Sequence, residues 1–214
     1  MSSKWERWAT LTGALAVPFL IAGVAIASAK VKGDTGAENL NSFQQHSDGI
    51  LLAGLLWSIG VVLFIWFLGS LRSHFAAAEG GVGRLTALAY GGGLAAAVLT
   101  ILIPAGDQVA ALNKDEIDAS GASVLHNLSD GFFVAAEYVL PVFFFASAIL
   151  ALRYAALPKW LGWLSVLIGL VLLVGPIGWA AYIFATPVWI IIVSVTLWMR
   201  AERTATTTPA VSTS

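Results

Sequence analysis

One acidic side chain interrupts the apolar sequence that makes up most of this chain. Glu137 is the only carboxyl group within the apolar run 131–152, and His126 and Asp130 precede it on the same predicted helix. At 100° per residue the three side chains fall within about 40° of one another, so they form one stripe along that helix. Carboxylates and imidazoles bind protons and cations. The stripe therefore predicts a polar site around Glu137.

Three further side chains belong to the same end of the predicted helices. His46 and Asp48 precede the second apolar run within His-Ser-Asp-Gly, and Asp107 closes the third run. We therefore expect two histidines and up to four carboxylates to converge at one level. Zinc takes three or four such ligands, so a divalent metal is a hypothesis here, although no cofactor is otherwise predicted. The candidate metal ligands are His46, His126, Asp130 and Glu137.

Each candidate also has a purely structural interpretation. A carboxylate in hydrocarbon is costly, so Glu137 is expected to be protonated or to face a cavity or a partner. It would serve as a structural contact if it bonded to a helix backbone, to Tyr90 or to Tyr138. Ser-Asp-Gly is typical of a helix start, so Asp48 and Asp130 are equally interpreted as N-caps. Isolated histidines near a membrane surface are usually solvated, and this alternative stays open for both.

Six apolar runs must position these residues, and they fill most of the chain. Hydrophobic residues make up 58% of the sequence and charged residues 11%. Since about 20 helical residues cross the hydrocarbon core, we predict an all-α integral membrane bundle of six transmembrane helices built from three hairpins. Residues 1–200 form this single domain, and residues 201–214 are predicted to be a disordered cytoplasmic tail. The runs are Trp8–Ala29, Ile50–Leu71, Leu85–Ala105, Gly131–Leu152, Lys159–Val174 and Ile177–Met199.

The first two hairpins show a weak internal similarity. Ser-Asp-Gly precedes the second and the fourth run, and both runs close on Leu-Arg at almost the same distance. Each hairpin holds two spans, so a duplication would give parallel repeats. Gly91-Gly92-Gly93 in the third run favours close helix packing there. The segment 72–84 is predicted to be a flexible loop, and a short helix is expected around residues 107–118.

The distribution of positive charge predicts the orientation. Eight lysines and arginines lie at the ends grouped with the N-terminus, and three lie in the opposite loops. Because positive loops stay in the cytoplasm, both termini are expected to be cytoplasmic, in a bacterial cytoplasmic membrane. The first apolar run, 22 residues long, exceeds a signal-peptide core of about 7–15 residues, so we expect it to stay uncleaved.

Composition excludes several kinds of chemistry. The chain has no cysteine, which excludes disulfides, thiolate metal sites and thiol redox reactions. Its net charge of −1 argues against nucleic acid as a partner. His-Glu-x-x-His, Gly-x-Ser-x-Gly and phosphate-binding glycine loops do not occur.

The segment Leu157-Pro158-Lys159-Trp160-Leu161-Gly162-Trp163-Leu164, with the later Thr186-Pro187-Val188-Trp189, resembles the C-terminal part of a broad group of bacterial multi-pass membrane proteins of unknown function. The resemblance covers about a quarter of the chain. It implies a bacterial membrane and no particular activity, and it assigns no site residue.

These observations predict a non-enzymatic module that responds to an ion, a small molecule or a lipid. A metal-dependent membrane enzyme using the His/Asp/Glu cluster is one alternative, and a structural subunit of a larger membrane complex is another. The expected partners are the lipid bilayer and either another membrane protein or a second copy of the chain.

Overall fold

The computed structural model describes residues 4–206, with side chains described for residues 8–200. The described chain consists of eight α-helices and one π-helical turn, Ala181–Ala185, between the last two. The helices are α1 (Lys4–Lys30), α2 (Gly36–Glu79), α3 (Arg84–Leu102), α4 (Ala105–Leu112), α5 (Ala119–Tyr154), α6 (Lys159–Leu172), α7 (Gly175–Ala180) and α8 (Thr186–Thr206).

Five helical stretches are long and apolar enough to cross a membrane, which confirms the predicted all-α membrane bundle. A sixth apolar helix, α6, has 14 residues, about 21 Å at 1.5 Å per residue, and is shorter than the hydrocarbon core. The five stretches are Trp8–Lys30, Gly36–Glu79, Arg84–Leu112, Ala119–Tyr154 and Gly175–Arg200.

Glycines bring the helices of the first two hairpins into close contact. In α1, Gly23 approaches the Ala53 carbonyl of α2 so closely that an added Cβ would lie 3.0 Å from that oxygen. In α3, a Cβ on Gly92 would lie 2.9 Å from the Phe143 nitrogen of α5. Close packing at the glycine run is therefore confirmed. Helix α4 between α3 and α5 has no counterpart between α1 and α2, and the internal repeat stays a prediction.

The core at the centre of the bundle is aromatic. Trp189 of α8 is fully buried, and its ring meets Phe143 and Phe144 edge-on, with centroids 5.3 Å away in each case. Its indole Nε1 donates to the Ser165 hydroxyl at 2.9 Å. In hydrocarbon an unpaired donor is costly, so this bond allows a tryptophan to lie at the centre of the bundle.

The predicted loop 72–84 is mostly helix. Helix α2 continues to Glu79, and only residues 80–83 separate it from α3. The Glu79 carboxylate accepts from the backbone nitrogens of Leu85 (2.8 Å) and Thr86 (2.7 Å) and from the Thr86 hydroxyl (2.6 Å). Gly83, at the N-cap position of α3, has no side chain to offer, so Glu79 satisfies these donors from the preceding helix. The short helix expected around residues 107–118 exists as α4, a few residues earlier.

The N-cap interpretation is wrong for Asp130 and unsupported for Asp48. Asp130 lies well inside α5, whose N-cap Asp118 accepts from Gly121 N at 2.8 Å. Helix α2 begins with a capping box of Thr35 and Glu38. Asp48 follows a kink in α2 and makes no side-chain hydrogen bond to a described residue. Ser-Asp-Gly does not mark the starts of α2 and α5, because both helices begin more than ten residues before the apolar runs.

The π-helical turn has a local cause in Pro187. Proline has no N–H to bond the carbonyl of the residue four before it, and its ring clashes with that carbonyl. Widening the preceding turn relieves this clash. Residues 181–185 adopt that wider turn, and the Thr186 hydroxyl donates to the Ala181 carbonyl at 3.1 Å. The turn presents Tyr182 toward α3.

At the C-terminus, α8 continues past the predicted boundary at residue 200 to Thr206. The predicted disordered tail is 201–214, and its first six residues, 201–206, belong to this helix. Residues 207–214 are outside the described part of the chain.

Candidate ligand site

A histidine–aspartate pair joins α5 to α4. The His126 Nδ1 lies 2.8 Å from Asp107 Oδ1, and the backbone N–H of Asp107 donates to the Ser129 hydroxyl at 3.2 Å. The pair can form because Gly106 lets α4 approach α5: a Cβ there would collide with the Leu125 carbonyl. The structure therefore brings together one residue that follows the third apolar run and one that precedes the fourth.

Asp130 completes an acidic environment for the imidazole. It lies one turn below His126 on α5, and both residues precede the apolar run 131–152. The Asp107 carboxylate contacts the imidazole directly, and Asp130 places a second negative charge near it. The side chain of His126 is 26% exposed, so solvent and ligands reach it.

These polar groups line a cavity of about 410 Å³, called the outer cavity here. Ligand pockets typically measure about 300–1,000 Å³. Asp107, His126, Ser129 and Asp130 form its polar wall. The remaining wall is almost entirely apolar and comes from α1, α2 and the segment that joins α3 to α4, with Phe133 and Ile183 below.

A second cavity of about 500 Å³, called the apolar groove here, runs between α1 and α8. Helices α1 and α8 touch where Gly13 meets Ser194, and the groove is lined by Val17 to Ala25 of α1 and by the π-helical turn and the start of α8. Ile21 and Phe184 on the rims are 56% and 63% exposed, so the groove opens sideways toward lipid.

The outer cavity and the apolar groove share Val24, Trp57 and Ile183 in their walls. The polar atoms near this junction are already paired. The Trp57 Nε1 donates to the Thr100 carbonyl at 2.6 Å, and the hydroxyls of Thr100 and Tyr182 lie 2.6 Å apart. The groove below the junction is therefore suited to hydrocarbon, and the polar groups that can meet a ligand lie above it.

Glu137 lies apart from this pair. It is buried, 4% exposed, and its Oε1 packs against Gly178 of α7 so closely that a Cβ there would collide with it. No described residue hydrogen-bonds to its carboxyl, and neither Tyr90 nor Tyr138 does so. Phe133, one turn above it, packs edge-on against Tyr182 with centroids 5.0 Å apart. An apolar layer thus separates Glu137 from Asp130, and its ligand role stays a prediction.

His46 and Asp48 are not in the walls of either cavity. His46 is the kink residue of α2 (φ −128°, ψ 21°), and Asp48 is exposed. Among the residues that the structure describes, no three histidine, aspartate or glutamate side chains are grouped closely enough to hold a metal ion. The metal hypothesis for His46, His126, Asp130 and Glu137 stays a prediction.

Sequence reasoning missed the polar residues of the junction. Trp57, Thr100 and Tyr182 come from three different elements, and their bonds depend on how the π-helical turn meets α3. The visible signals were a tryptophan deep in an apolar run and a proline five residues after a tyrosine. Neither signal predicts a partner.

The fold and the site define a multi-pass helical membrane protein with a partly polar cavity beside an apolar groove. Comparisons with protein-family models, with curated proteins and with solved structures found no match to this chain.

Proposed function

We propose that the protein is a non-enzymatic membrane module that binds a lipid or another small amphiphile. The head of the ligand lies in the outer cavity beside Asp107, His126 and Asp130. Its hydrocarbon chain lies in the apolar groove. One observation carries this proposal: the two cavities are neighbours that share Val24, Trp57 and Ile183 in their walls, and the charged side chains line only the outer cavity.

The surroundings of the groove support a ligand that enters from the bilayer. Its rims are exposed, with Ile21 of α1 and Phe184 of the π-helical turn on opposite sides. A hydrophobic chain leaving lipid for a protein groove gains little from the hydrophobic effect alone, so packing and the head group must supply the affinity. The outer cavity, with the hydrogen-bonded pair of His126 and Asp107 and a further carboxylate, supplies such head-group contacts.

The test is saturable photolabelling of the purified protein in lipid nanodiscs. Three probes share a dodecyl chain with a terminal diazirine and carry a trimethylammonium, a hydroxyl or a sulfate head. At least one probe should label residues of the groove, and unlabelled ligand should compete. Val24→Trp, at the junction, should abolish this labelling, since the added ring fills the passage.

Val62→Trp is the matched control because Val62 is 47% exposed and lines neither cavity. It should leave the saturable labelling unchanged. If none of the three probes gives saturable labelling of the groove, or if both tryptophan variants reduce it equally, the proposal is wrong. A scaffold in a larger membrane complex would then be the better explanation.

A further inference from the structure

We propose that the ligand of this site is a single-chain amphiphile with a cationic ammonium head. This inference rests on the proposed function and names its ligand class. It is argued from the charges around the outer cavity, the size of the apolar groove and the pairing of nearby polar atoms.

The charge at the outer cavity favours a cation. Asp107 and Asp130 contribute two carboxylates to the wall, and His126 contributes one imidazole. No lysine or arginine is among the described residues that line the outer cavity or the groove. With the imidazole protonated the wall carries a net charge of −1, and with the imidazole neutral it carries −2. Either state attracts an ammonium group and repels a phosphate or a sulfate.

The nearby lysines do not neutralise this wall. Lys114 donates from Nζ to the Ser47 hydroxyl at 3.1 Å. The stem of Lys30 packs along α2, with its Cγ 3.3 Å from the position of a Cβ on Gly49. The charged groups that act on His126 are Asp107 from α4 and Asp130 from its own helix. Helices α1 and α2 face the cavity with apolar residues, glycines and Ser28.

The groove has room for one chain. If a methylene group occupies about the 30 Å³ that a water molecule takes in the liquid, a groove of about 500 Å³ holds one long alkyl chain. The paired hydroxyls of Thr100 and Tyr182 present no free donor to a polar ligand. A cationic head with one chain thus matches both ends of the site.

Photolabelling with the three probes defined above tests the head group. The trimethylammonium probe should reach half-saturation at a concentration about fivefold lower than the hydroxyl probe, as expected for one partly exposed charge interaction, and the sulfate probe should bind weakest. Asp130→Asn should remove most of this preference. Asp48→Asn is the matched control, since Asp48 is an exposed carboxylate outside both cavities, and it should change nothing.

The pH dependence provides a second readout. A quaternary ammonium does not titrate, so a change in its binding must come from the protein. An imidazole ordinarily changes from cationic to neutral between about pH 5 and 8, and the cationic form of His126 repels the head. Binding should therefore tighten about two- to fivefold from pH 6 to pH 8.5, and His126→Gln should abolish the change.

The possible outcomes separate this inference from the proposed function. If the three heads bind equally well and Val24→Trp blocks them all, the groove binds amphiphiles but the cationic assignment is wrong. The same conclusion follows if the sulfate probe binds best, or if Asp48→Asn matches Asp130→Asn. If a two-chain lipid with an ammonium head competes better than the single-chain probe, the assignment of an ammonium head stands and the assignment of a single chain is overturned. Without saturable labelling both proposals fail.

Discussion

At the scale of single residues, the contact between Glu137 and Gly178 shows how one buried carboxyl limits its neighbours. The carboxyl occupies the space that a side chain at position 178 would need. A buried carboxyl group without a described partner is costly unless it is protonated. Because residue 178 of α7 is a glycine, the Glu137 carboxyl has room to lie between α5 and α7.

Gly178→Ala should destabilise the protein by about 1–3 kcal/mol, because the added methyl group overlaps the Glu137 carboxyl. The cost should be smaller in a Glu137→Ala background, where the Leu172 carbonyl oxygen, 2.9 Å from the Cβ position, is the close contact that remains. The measurement is a double-mutant cycle by thermal or denaturant unfolding in detergent. Gly91→Ala is the control, since a Cβ there meets nothing within 4 Å. Equal costs of Gly178→Ala in the two backgrounds would show that the carboxyl does not occupy this space.

At the scale of elements, the helices begin and end at residues that the apolar pattern does not mark, and the groups that cap them can come from a neighbouring helix. The cap of α3 comes from Glu79, the last residue of the preceding helix. Because the turn between α2 and α3 spans only residues 80–83, the carboxylate reaches the first amides of α3 directly. This contact fixes the relative position of two helices that line the site.

Glu79→Ala should cost about 1 kcal/mol, since it leaves the first amides of α3 without their acceptor. Hydrogen exchange at Leu85 and Thr86 should accelerate, while exchange in the middle of α3 changes little. Asp115→Ala removes an exposed carboxylate that makes no described side-chain contact, and it serves as the control. Unchanged exchange at Leu85 and Thr86 would mean that water satisfies these amides as well as Glu79 does.

At the scale of the whole molecule, the orientation in the membrane decides which leaflet supplies the ligand. The excess of lysine and arginine predicts cytoplasmic termini. The 80–83 turn would then be cytoplasmic, and the outer cavity would open at the opposite surface. Both assignments are proposals.

Single cysteines in this cysteine-free chain test the orientation. Val82→Cys marks the 80–83 turn, where Val82 is fully exposed. Asp115→Cys marks the segment between α4 and α5. In intact bacterial cells an impermeant maleimide should label Asp115→Cys, and it should label Val82→Cys only after lysis. The reverse pattern would invert the topology and place the outer cavity at the cytoplasmic leaflet.

The sequence by itself determined the architecture and part of the site. Apolar runs of membrane length leave helices as the solution for their backbone, so the bundle follows from composition and spacing. The 3.6-residue period placed His126 and Asp130 on one face of α5. The closing position of Asp107 on the third run placed it at the same membrane boundary as His126.

Only the tertiary structure decided which of these groups meet. Glycine positions 106 and 178 set how closely helices approach, and the π-helical turn sets where Tyr182 points. As a result Asp107 and His126 form a pair, whereas Glu137 of the same stripe lies against α7 behind Phe133 and Tyr182. Such contacts depend on the packing of several helices at once, and periodicity describes one helix at a time. The outer cavity and the apolar groove are each lined by several elements, so no single segment encodes them.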